Sequence, residues 1–554
     1  VPGDGGDALA LIWTMRWVTH AAPHGWSALW NANIFFPARH TLAYSDSLLP
    51  LAPAFGVLVW LTGSVALSFN LLSLAAWTTS LCATDRLARR LGCGPGPAMV
   101  AASMFTFSAP RLAQYRHLQL AWGCLIPTCL LLLLRLLEDP SLGRGVAFGT
   151  VTAVLTMIAS YFGVLVVLAS AVIVVLHVAL QRRRGLAVTI KALCVAIASF
   201  AVLVSPVAYQ YLRLQRDPHF RRLPDPTFDA HWNDFRAVSV DNRFVQRLWP
   251  VAHMGVGRSG ENWLFPGYLA TGLVLLALVV LVRRRGAVLT VGQRRELGFL
   301  LVAGAVMFVL SFGSPMHVAG RSVRMPFALV RRLVPGASAM RVPARFAVLP
   351  MLAVALLAAA GLEVVFGGAR RRVVAATCAV LVIAGLWENA IRIETVPANV
   401  RQTGAAVNHE LARRPAGAVL ELPAMSLGSG AGWGFVEAPR QLASTIDWDP
   451  RVNGYSSFEP GGFEQLVQTL NGFPNEPAWR DIGRLHVRYI VLRTSIPVDI
   501  GPARRSLYES PGVGVIDDAA ARSMIMRLPA DRVRRVDHVG DAYLIELRQL
   551  ADQH

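Results

Sequence analysis

Lysine is almost missing from this chain of 554 residues, since Lys191 is its only one although the formal net charge is +19. Arginine therefore carries the positive charge, and clusters of it lie in short connections between apolar stretches. No polar region interleaves basic and aromatic residues in the way that a nucleic-acid-binding surface does. The composition argues against nucleic acid as a partner and favours contact with anionic membrane lipids.

Cysteine is also scarce, and every cysteine lies in or beside an apolar stretch. The six are Cys82, Cys93, Cys124, Cys129, Cys194 and Cys378. The closest pair, Cys124 and Cys129, has neither metal-ligand spacing nor a His partner. We therefore expect six small apolar side chains, and no disulfide in the region after residue 390.

Sequence motifs that bind nucleotides, such as those for a soluble nucleotide-sugar donor, are absent as well. The chain has no Gly-rich phosphate loop, no dinucleotide fingerprint and no HExxH sequence, so a nucleotide-sugar donor site is unsupported. No signal peptide precedes the turn-like VPGDGGD at the start. Because the charge pattern below places this start outside the cytoplasm, we expect that a first span is missing before Val1 and that the complete protein has eleven spans.

Apolar stretches dominate what is present. Hydrophobic residues make up 54% of the chain, and the mean hydropathy of +0.46 excludes an ordinary soluble protein. Several stretches approach the ~20 residues that a helix needs to cross a bilayer. The ten stretches are 64–84, 95–109, 118–137, 145–159, 162–180, 186–206, 265–283, 297–313, 346–366 and 373–390.

Arginine-bearing connections follow every second stretch, and short loops of this kind stay in the cytoplasm. These connections are 85–90, 135–144, 181–191, 283–296 and 369–372. All five fall on one side if all ten stretches span. The opposite, extracytoplasmic side then receives 1–63, 110–117, 207–264, 314–345 and everything after residue 390.

The composition changes after residue 390, where β-branched alternation predicts strands at 418–423, 487–493 and 542–548. Helices are predicted at 461–470 and 476–485. The apolar but short or Pro-broken segments 8–20 and 47–62 are predicted to lie as helices in the outer membrane interface. The fold class is thus a polytopic α-helical membrane protein with a small extracytoplasmic α/β domain, divided as 1–63, 64–390 and 391–554.

Several strings along the chain resemble a family of bacterial membrane proteins. They are GDGGDALALIW (3–13), RLAQYRHLQL (111–120), SYFGV (160–164), MRVPARFAVLP (340–350), LELP (420–423) and NGYSSFEPGGFEQL (453–466). Together they resemble the YfhO type of polytopic protein and the GT-C superfamily of glycosyltransferases. The resemblance implies a sugar donor on polyprenyl phosphate, a carboxylate base in the first outer loop, and cations that hold the departing lipid phosphate.

Asp4 and Asp7 are the candidates for the catalytic base under this resemblance, because sugar transfer needs a carboxylate near the anomeric carbon to accept the acceptor's proton. A second carboxylate would orient the first or hold a divalent cation, and the sequence leaves metal dependence open. The alternative for Asp7 is an N-cap of the helix that begins with ALALIW. The sequence does not choose between the two aspartates.

Arg341 and Arg345 are the leading candidates for the donor phosphate, because their i, i+4 spacing puts both on one helical face and arginine grips phosphate in a bidentate manner. Their alternative is snorkelling to lipid headgroups. The other candidates for substrate binding, each with a structural alternative, are Asp46, Arg116, His117, Gln119, Tyr161 and Glu261. The segment 453–466 supplies Asn453, Tyr455 or Glu459 if it reaches back to the site, and otherwise begins a helix.

The sequence therefore predicts a membrane glycosyltransferase in the bacterial plasma (inner) membrane, with its C-terminal domain outside. It would move a sugar from a polyprenyl-phosphate donor to a cell-envelope glycan, lipid or protein. A transporter or flippase of lipid-linked sugars is the alternative, and an envelope scaffold is another. Transporters place polar groups in mid-membrane, and acids are rare within the predicted spans, which favours the enzyme.

Overall fold

A computed structural model shows a mostly helical protein with a small sheet near its C-terminus. It describes residues 1–3, 5–180, 185–221, 225–239, 242, 260–283, 289–318, 321–396, 405–430, 432–494 and 515–548. The chain forms two compact units. The mixed unit contains Val1–Asn70 and Glu394–His554, and the helical unit contains Leu71–Ile393.

The longer helices are α1 (Asp7–Ala21), α2 (Ala52–Thr62), α3 (Val65–Arg90), α4 (Pro95–Thr106), α5 (Leu125–Glu138), α6 (Leu142–Ile158), α7 (Ser160–Leu180), α8 (Leu186–Leu214), α9 (Tyr268–Arg283), α10 (Val291–Ser311), α11 (Val348–Val365), α12 (Arg371–Glu388), α13 (Gly432–Ala443), α14 (Phe463–Leu470), α15 (Glu476–Arg484) and α16 (Asp518–Met526). The strands are β1 (Met316–Val318), β2 (Arg321–Val323), β3 (Ala418–Leu422), β4 (Val487–Arg493), β5 (Val533–Val539) and β6 (Ala542–Leu547). Shorter helices span Trp26–Trp30, Ala109–Leu112, Leu118–Ala121, Phe327–Leu333 and Ala405–Leu411.

The mixed unit is built on a four-stranded sheet with the order β3-β4-β6-β5. β3 runs parallel to β4, and the other pairs are antiparallel. The three predicted strands are confirmed, because their β-branched and aromatic residues pack into one core with Val419, Val491 and Leu544 at its centre. The two predicted helices are confirmed as α14 and α15.

The first residues of the chain fold onto this C-terminal sheet region. Asn33 donates hydrogen bonds to the Ser444 hydroxyl at 3.1 Å and to the Asp449 carbonyl at 3.3 Å. The ring of Trp17 on α1 packs against Trp448 with centroids 5.9 Å apart. α1 is largely buried by these contacts, whereas α2 exposes Trp60 and other apolar side chains that suit a membrane interface.

A buried network of charges lies beside β3. Glu421 accepts a hydrogen bond from Arg493 Nε at 2.8 Å, with Arg451 Nε at 3.5 Å and Arg440 Nε at 3.8 Å. Burial alone raises the pKa of Glu421, but the three guanidinium groups outweigh it and bring that pKa to about 2. Burial also raises the pKa of Glu437, beside Arg440, to about 7. The buried carboxylates and guanidinium groups of this network therefore stabilise one another's charged forms.

Every predicted apolar stretch coincides with helical structure in the described residues. The helical unit packs its helices closely: at Gly149 of α6 a Cβ atom would lie 2.2 Å from the carbonyl oxygen of Ala196 on α8. Small residues allow such approach between membrane helices, where dispersion contacts drive association.

Five helical segments are long and apolar enough to cross a membrane, as judged by length and composition within the described residues. They are Val65–Arg90, Leu118–Glu138, Ser160–Leu180, Leu186–Leu214 and Pro343–Val365. Ala52–Thr62, Leu142–Ile158 and Tyr268–Arg283 are shorter apolar helices. The chain is therefore a membrane protein, and the larger number of ten spans stays a prediction.

One end of the helical unit joins three of the arginine-bearing connections. Arg90, at the end of α3, pairs with Glu138 at 2.9 Å and with Glu296 near the start of α10. The backbone N–H of Gly94 donates to Glu363 at 2.6 Å, near the end of α11. Because α11 has 18 residues and rises about 1.5 Å per residue, its other end, beside Arg345, lies roughly 27 Å away. Three connections thus share one end, as the arginine pattern predicts.

Cysteine labelling tests the orientation of these ends. In a background where the exposed Cys82 and Cys194 are replaced by serine, we expect a membrane-impermeant maleimide to label Asp531→Cys but not Arg372→Cys in intact spheroplasts. The reason is that short arginine-rich connections stay in the cytoplasm. Both positions should react after permeabilisation. Labelling at 372 with protection at 531 would reverse the topology.

Candidate functional site

Asp7 begins helix α1 in the mixed unit, and Gly6 occupies the N-cap position without a side-chain cap. The N-cap alternative for Asp7 therefore does not match the structure, because its carboxylate lies in the first turn instead. A carboxylate is favoured there by the partial positive charge of the helix N-terminus. Asp7 thus lies at the N-terminal end of a helix whose residues 8–13 are apolar.

The hydroxyl of Tyr455 donates a hydrogen bond to Asp7 Oδ1 at 2.6 Å. Tyr455 is itself held: its ring packs edge-on against Trp433 with centroids 4.9 Å apart, and its backbone N–H donates to Gln441 Oε1 at 2.8 Å. A Cβ atom at Gly434 would lie 2.9 Å from the Tyr455 ring, so glycine permits this approach. The segment 453–466 thus reaches Asp7 through Tyr455.

The other two candidates of that segment, Asn453 and Glu459, make hydrogen bonds within the mixed unit. Asn453 is buried and joins Glu421 on β3, since it accepts from the Glu421 N–H at 2.8 Å and donates to its carbonyl at 2.9 Å. Glu459 accepts the N–H of Leu427 at 2.8 Å. Both side chains therefore hold the mixed unit together.

Asp46 lies half-buried in the loop before α2. Its neighbour Ser45 shares a hydrogen bond of 3.0 Å with Ser457, which ties this loop to the segment that carries Tyr455. Asp4 lies outside the described residues. The mixed unit therefore brings the Asp46 loop and Asp7 to one segment of the chain.

A second cluster lies in the helical unit and centres on Glu261. Arg345 donates two hydrogen bonds to its carboxylate, one from Nε at 3.1 Å, and Gln114 donates another at 2.7 Å. Burial raises the pKa of Glu261, but the charge and hydrogen bonds of Arg345, with smaller contributions from His117 and Arg341, leave that pKa below its ordinary value. Glu261 is therefore an ionised acceptor, and it does not serve as a proton donor near neutral pH.

Tyr161 connects this pair to Arg341. Its hydroxyl accepts the backbone N–H groups of Arg341 and Val342, the second at 3.1 Å. The guanidinium of Arg345 lies 4.8 Å from the centroid of the Tyr161 ring. Tyr161 thus fixes the backbone of the segment that carries both arginines.

The single helical face expected for Arg341 and Arg345 does not form. A 3₁₀ helix covers Pro343–Ala347, and Arg341 precedes it in irregular backbone. Arg341 is exposed, and its guanidinium lies 4.4 Å from the centroid of the Phe228 ring. Arg345 is therefore bound to a carboxylate, while Arg341 presents its charge at the surface.

The remaining candidates lie in and around one short helix. Arg116 donates to the hydroxyl of its neighbour Tyr115 at 3.2 Å. His117 is the N-cap residue of Leu118–Ala121 and is one of the groups that lower the pKa of Glu261. Gln119 is buried, and its Oε1 atom accepts no hydrogen bond in the described residues. The sequence reasoning missed Gln114, although it lies within the string RLAQYRHLQL.

No group of three or more His, Cys, Asp or Glu side chains within the described ranges is arranged to hold a metal ion. The candidate residues are instead divided between two clusters, Asp7 with Tyr455 in the mixed unit and Glu261 with Arg345 in the helical unit. The first offers a carboxylate for proton transfer. The cluster in the helical unit offers the exposed Arg341, close to the ion pair in which Glu261 balances the charge of Arg345.

The Glu261–Arg345 pair is expected to stabilise the protein. Glu261→Gln removes the charge that balances Arg345, and hydrogen bonds to charged groups contribute about 1.5–3 kcal/mol. Because the pKa of Glu261 is lowered, its contribution is complete above the ordinary carboxyl pKa and is lost as pH falls through the lowered value.

Thermal unfolding in neutral detergent, compared between pH 7 and a series of values below pH 4, measures this effect. A double-mutant cycle with Arg345→Gln isolates the pair. Additive losses in the cycle would mean that the two side chains do not stabilise each other.

Comparison with known proteins shows a family and similarity to solved structures. A family model described as "Domain of unknown function (DUF6311)" matches residues 6–386. No curated protein matches the chain. Among solved structures, the chain is similar to the oligosaccharyltransferase of Archaeoglobus fulgidus tethered to an acceptor peptide containing the NVT sequon, at 12% identity and a TM-score of 0.42.

That similarity covers 89% of this chain and 65% of the oligosaccharyltransferase chain, so this chain spans less than two thirds of the length of its structural neighbour. A TM-score below 0.5 does not establish a shared fold. The resemblance to the GT-C superfamily therefore stays a prediction from the sequence, and the function is proposed below from this chain's own residues.

Proposed function

This chain belongs to the DUF6311 family, and we propose that it is a membrane glycosyltransferase. It takes a sugar from a polyprenyl-phosphate donor and transfers it to a cell-envelope glycan, lipid or protein on the extracytoplasmic side of the bacterial plasma membrane. Asp7 is the proposed general base, and Asp4 remains its rival.

The observation that carries this proposal is the hydrogen bond from Tyr455 to Asp7. A base must be held within hydrogen-bond reach of the proton that it abstracts. The phenolic hydroxyl orients one carboxylate oxygen, and a carboxylate has further acceptor sites on both oxygens for the acceptor hydroxyl. The motif resemblance supports the same role for a carboxylate in the first outer loop.

The distribution of charge favours an enzyme over a transporter of lipid-linked sugars. In the five candidate spans, Asp85, Glu138 and Glu363 are the acids, and each lies within six residues of a helix end. Transporters and proton relays place ionisable groups near mid-membrane. The middle of these spans carries no acid for such a relay.

Arg341 is the proposed contact for the donor's phosphate, because it is exposed while Arg345 is bound by Glu261. Tyr161 holds the backbone of Arg341, which reduces the entropy that binding would cost. Arg345 then acts as a positioning residue through Tyr161. Arg116, His117 and Gln119 in the helical unit and Asp46 in the mixed unit are further proposed substrate-binding residues.

Reconstitution of the full chain in proteoliposomes tests the function. We expect a radiolabelled sugar to pass from a polyprenyl-phosphate donor to an envelope glycan acceptor in the presence of the wild-type chain. Including EDTA in one arm reports whether a divalent cation is required. Passage of the lipid-linked sugar across the bilayer without transfer would favour the transporter.

Arg341→Ala should raise the KM for the donor roughly tenfold or more while the protein folds normally, since a hydrogen bond to a charged group is lost. Arg324→Ala, an exposed arginine in the same unit, is the matched control. Equal donor KM in wild type and Arg341→Ala would mean that Arg341 contacts lipid headgroups instead.

A further inference from the structure

A pocket of about 380 Å³ lies in the helical unit, and its lining residues differ from those assigned above. One wall is the end of α8 and the chain after it, with Gln215 and Arg221. The other wall is the end of the short helix Phe327–Leu333 and the turn after it. Both walls belong to loops that the sequence places outside the cytoplasm.

Gln215 joins the two walls of this pocket. Its Nε2 donates to the carbonyl of Gly336 at 3.3 Å, and its Oε1 accepts from the Ser338 hydroxyl at 3.4 Å. Arg221 Nε donates to the Gln215 carbonyl at 2.9 Å. The two hydrogen bonds of the Gln215 side chain join segments more than 100 residues apart, and the one from Arg221 holds the chain after α8, so together they hold the pocket's shape.

Among the described residues, four arginines and no acid line the pocket: Arg216, Arg221, Arg331 and Arg332. Arg331 is half-buried, and desolvation lowers its pKa although Asp229 and Tyr161 oppose this. Asp229 is the carboxylate whose charge acts on Arg331, and the described lining residues bring four guanidinium groups together. Such an excess of positive charge attracts a phosphate group, which arginine binds through paired N–H donors.

Apolar side chains flank these arginines. Leu333 lines the pocket and is 72% exposed, and Leu212, which also lines it, is 42% exposed. Leu329, one turn before Leu333, and Tyr209 on α8 are exposed as well. An apolar border beside a cationic pocket matches a ligand with a phosphate head and hydrocarbon chains.

We propose that this pocket binds the phosphate group of an anionic lipid, with Arg216, Arg221, Arg331 and Arg332 around the phosphate and the lipid chains against Leu212 and Leu333. The lipid is either a membrane phospholipid or a polyprenyl phosphate, which share this chemistry. The site does not depend on glycosyl transfer, and if polyprenyl phosphate is the ligand it becomes a docking position for the proposed donor.

Native mass spectrometry of the full chain in neutral detergent tests the site. The probes are dioleoyl phosphatidic acid, farnesyl phosphate, dioleoyl phosphatidylcholine and inorganic phosphate. Arg216→Gln with Arg332→Gln removes two exposed lining charges. Arg213→Gln with Arg324→Gln is the matched control, because both arginines are exposed, lie in the same unit and do not line the pocket.

We expect the pocket variant to weaken binding of the lipid phosphates about tenfold or more, with the control variant close to wild type. Tighter binding of farnesyl phosphate than of phosphatidic acid would identify polyprenyl phosphate as the ligand. Equal binding of the two would identify the headgroup of anionic phospholipids in general. Equal losses of affinity for the lipid phosphates in both double variants would overturn the site. So would an affinity of the wild type for phosphatidylcholine equal to its affinity for phosphatidic acid. Inorganic phosphate binding as tightly as the lipids would overturn the lipid assignment. Sugar transfer is measured separately, so failure of one proposal leaves the other standing.

Discussion

Asp7→Asn is expected to lower glycosyl transfer by about 10²–10⁴-fold, which is the usual contribution of a general base. The amide keeps the size of the side chain, and its oxygen still accepts the hydrogen bond from Tyr455 that the structure shows at 2.6 Å. Only basicity is removed. Donor KM should therefore change little while kcat falls.

The measurement is transfer from a polyprenyl-phosphate sugar in proteoliposomes, with thermal unfolding followed on the same preparations. Asp4→Asn and the Asp4→Asn, Asp7→Asn double variant are assayed together with Asp7→Asn, because the sequence does not decide which aspartate is the base. Asp531→Asn, an exposed carboxylate in the mixed unit, is the control for the change from acid to amide. A folded double variant that binds donor and transfers sugar at the normal rate would remove both aspartates from catalysis.

Tyr455→Phe separates positioning from chemistry. The phenyl ring keeps its packing against Trp433, but the hydrogen bond to Asp7 is lost. We expect kcat to fall less than in Asp7→Asn, because the base remains but its orientation is less fixed. An equal loss of kcat in both variants would indicate that Tyr455 itself contacts the reacting groups.

Local patterns predicted the elements of this protein well. The stretches 162–180 and 186–206 became α7 and α8, and AYLIEL became β6, because apolar periodicity and β-branched residues act over a few positions. Strand β5 was missed. Its sequence VRRVDHV lies at the edge of the sheet with most side chains exposed, so it lacks the apolar alternation that reveals a buried strand.

Long-range pairings could not be read from the sequence. Asp7 and Tyr455 are separated by 448 positions, and Arg345 and Glu261 by 84. Arg345 looked like a phosphate ligand because the sequence does not show which carboxylate it meets. The two arginines also failed to share a helical face, since Val342 is not helical and Pro343 starts a 3₁₀ helix.

The burial of three arginines in the mixed unit also could not be predicted from the sequence. Arg440, Arg451 and Arg493 look like surface residues in a polar domain, and arginine is seldom fully buried unless it is paired. The structure buries all three beside Glu421 on β3. Only the three-dimensional meeting of β3, β4 and α13 creates the compensating charge.

Glu421→Gln is expected to destabilise the protein by about 3–5 kcal/mol, the usual cost of leaving a buried charge without its partner. Arg493 loses the carboxylate that accepts from its Nε at 2.8 Å, and Arg440 and Arg451 lose part of the negative charge that balances them. Thermal unfolding of the full chain in detergent, followed by tryptophan fluorescence, measures the loss. Glu476→Gln is the matched control, because its ion pair with Arg532 is exposed and exposed pairs contribute at most about 1 kcal/mol.

The dependence on pH follows from the lowered pKa of Glu421. Its stabilisation is complete above the ordinary carboxyl pKa and is lost as pH falls towards about 2, so acid should narrow the difference between wild type and Glu421→Gln. If the single variant does not fold, Arg493→Met is added, because removing the guanidinium that Glu421 balanced restores part of the stability. Equal unfolding midpoints for Glu421→Gln and Glu476→Gln would show that the buried network does not hold this unit together.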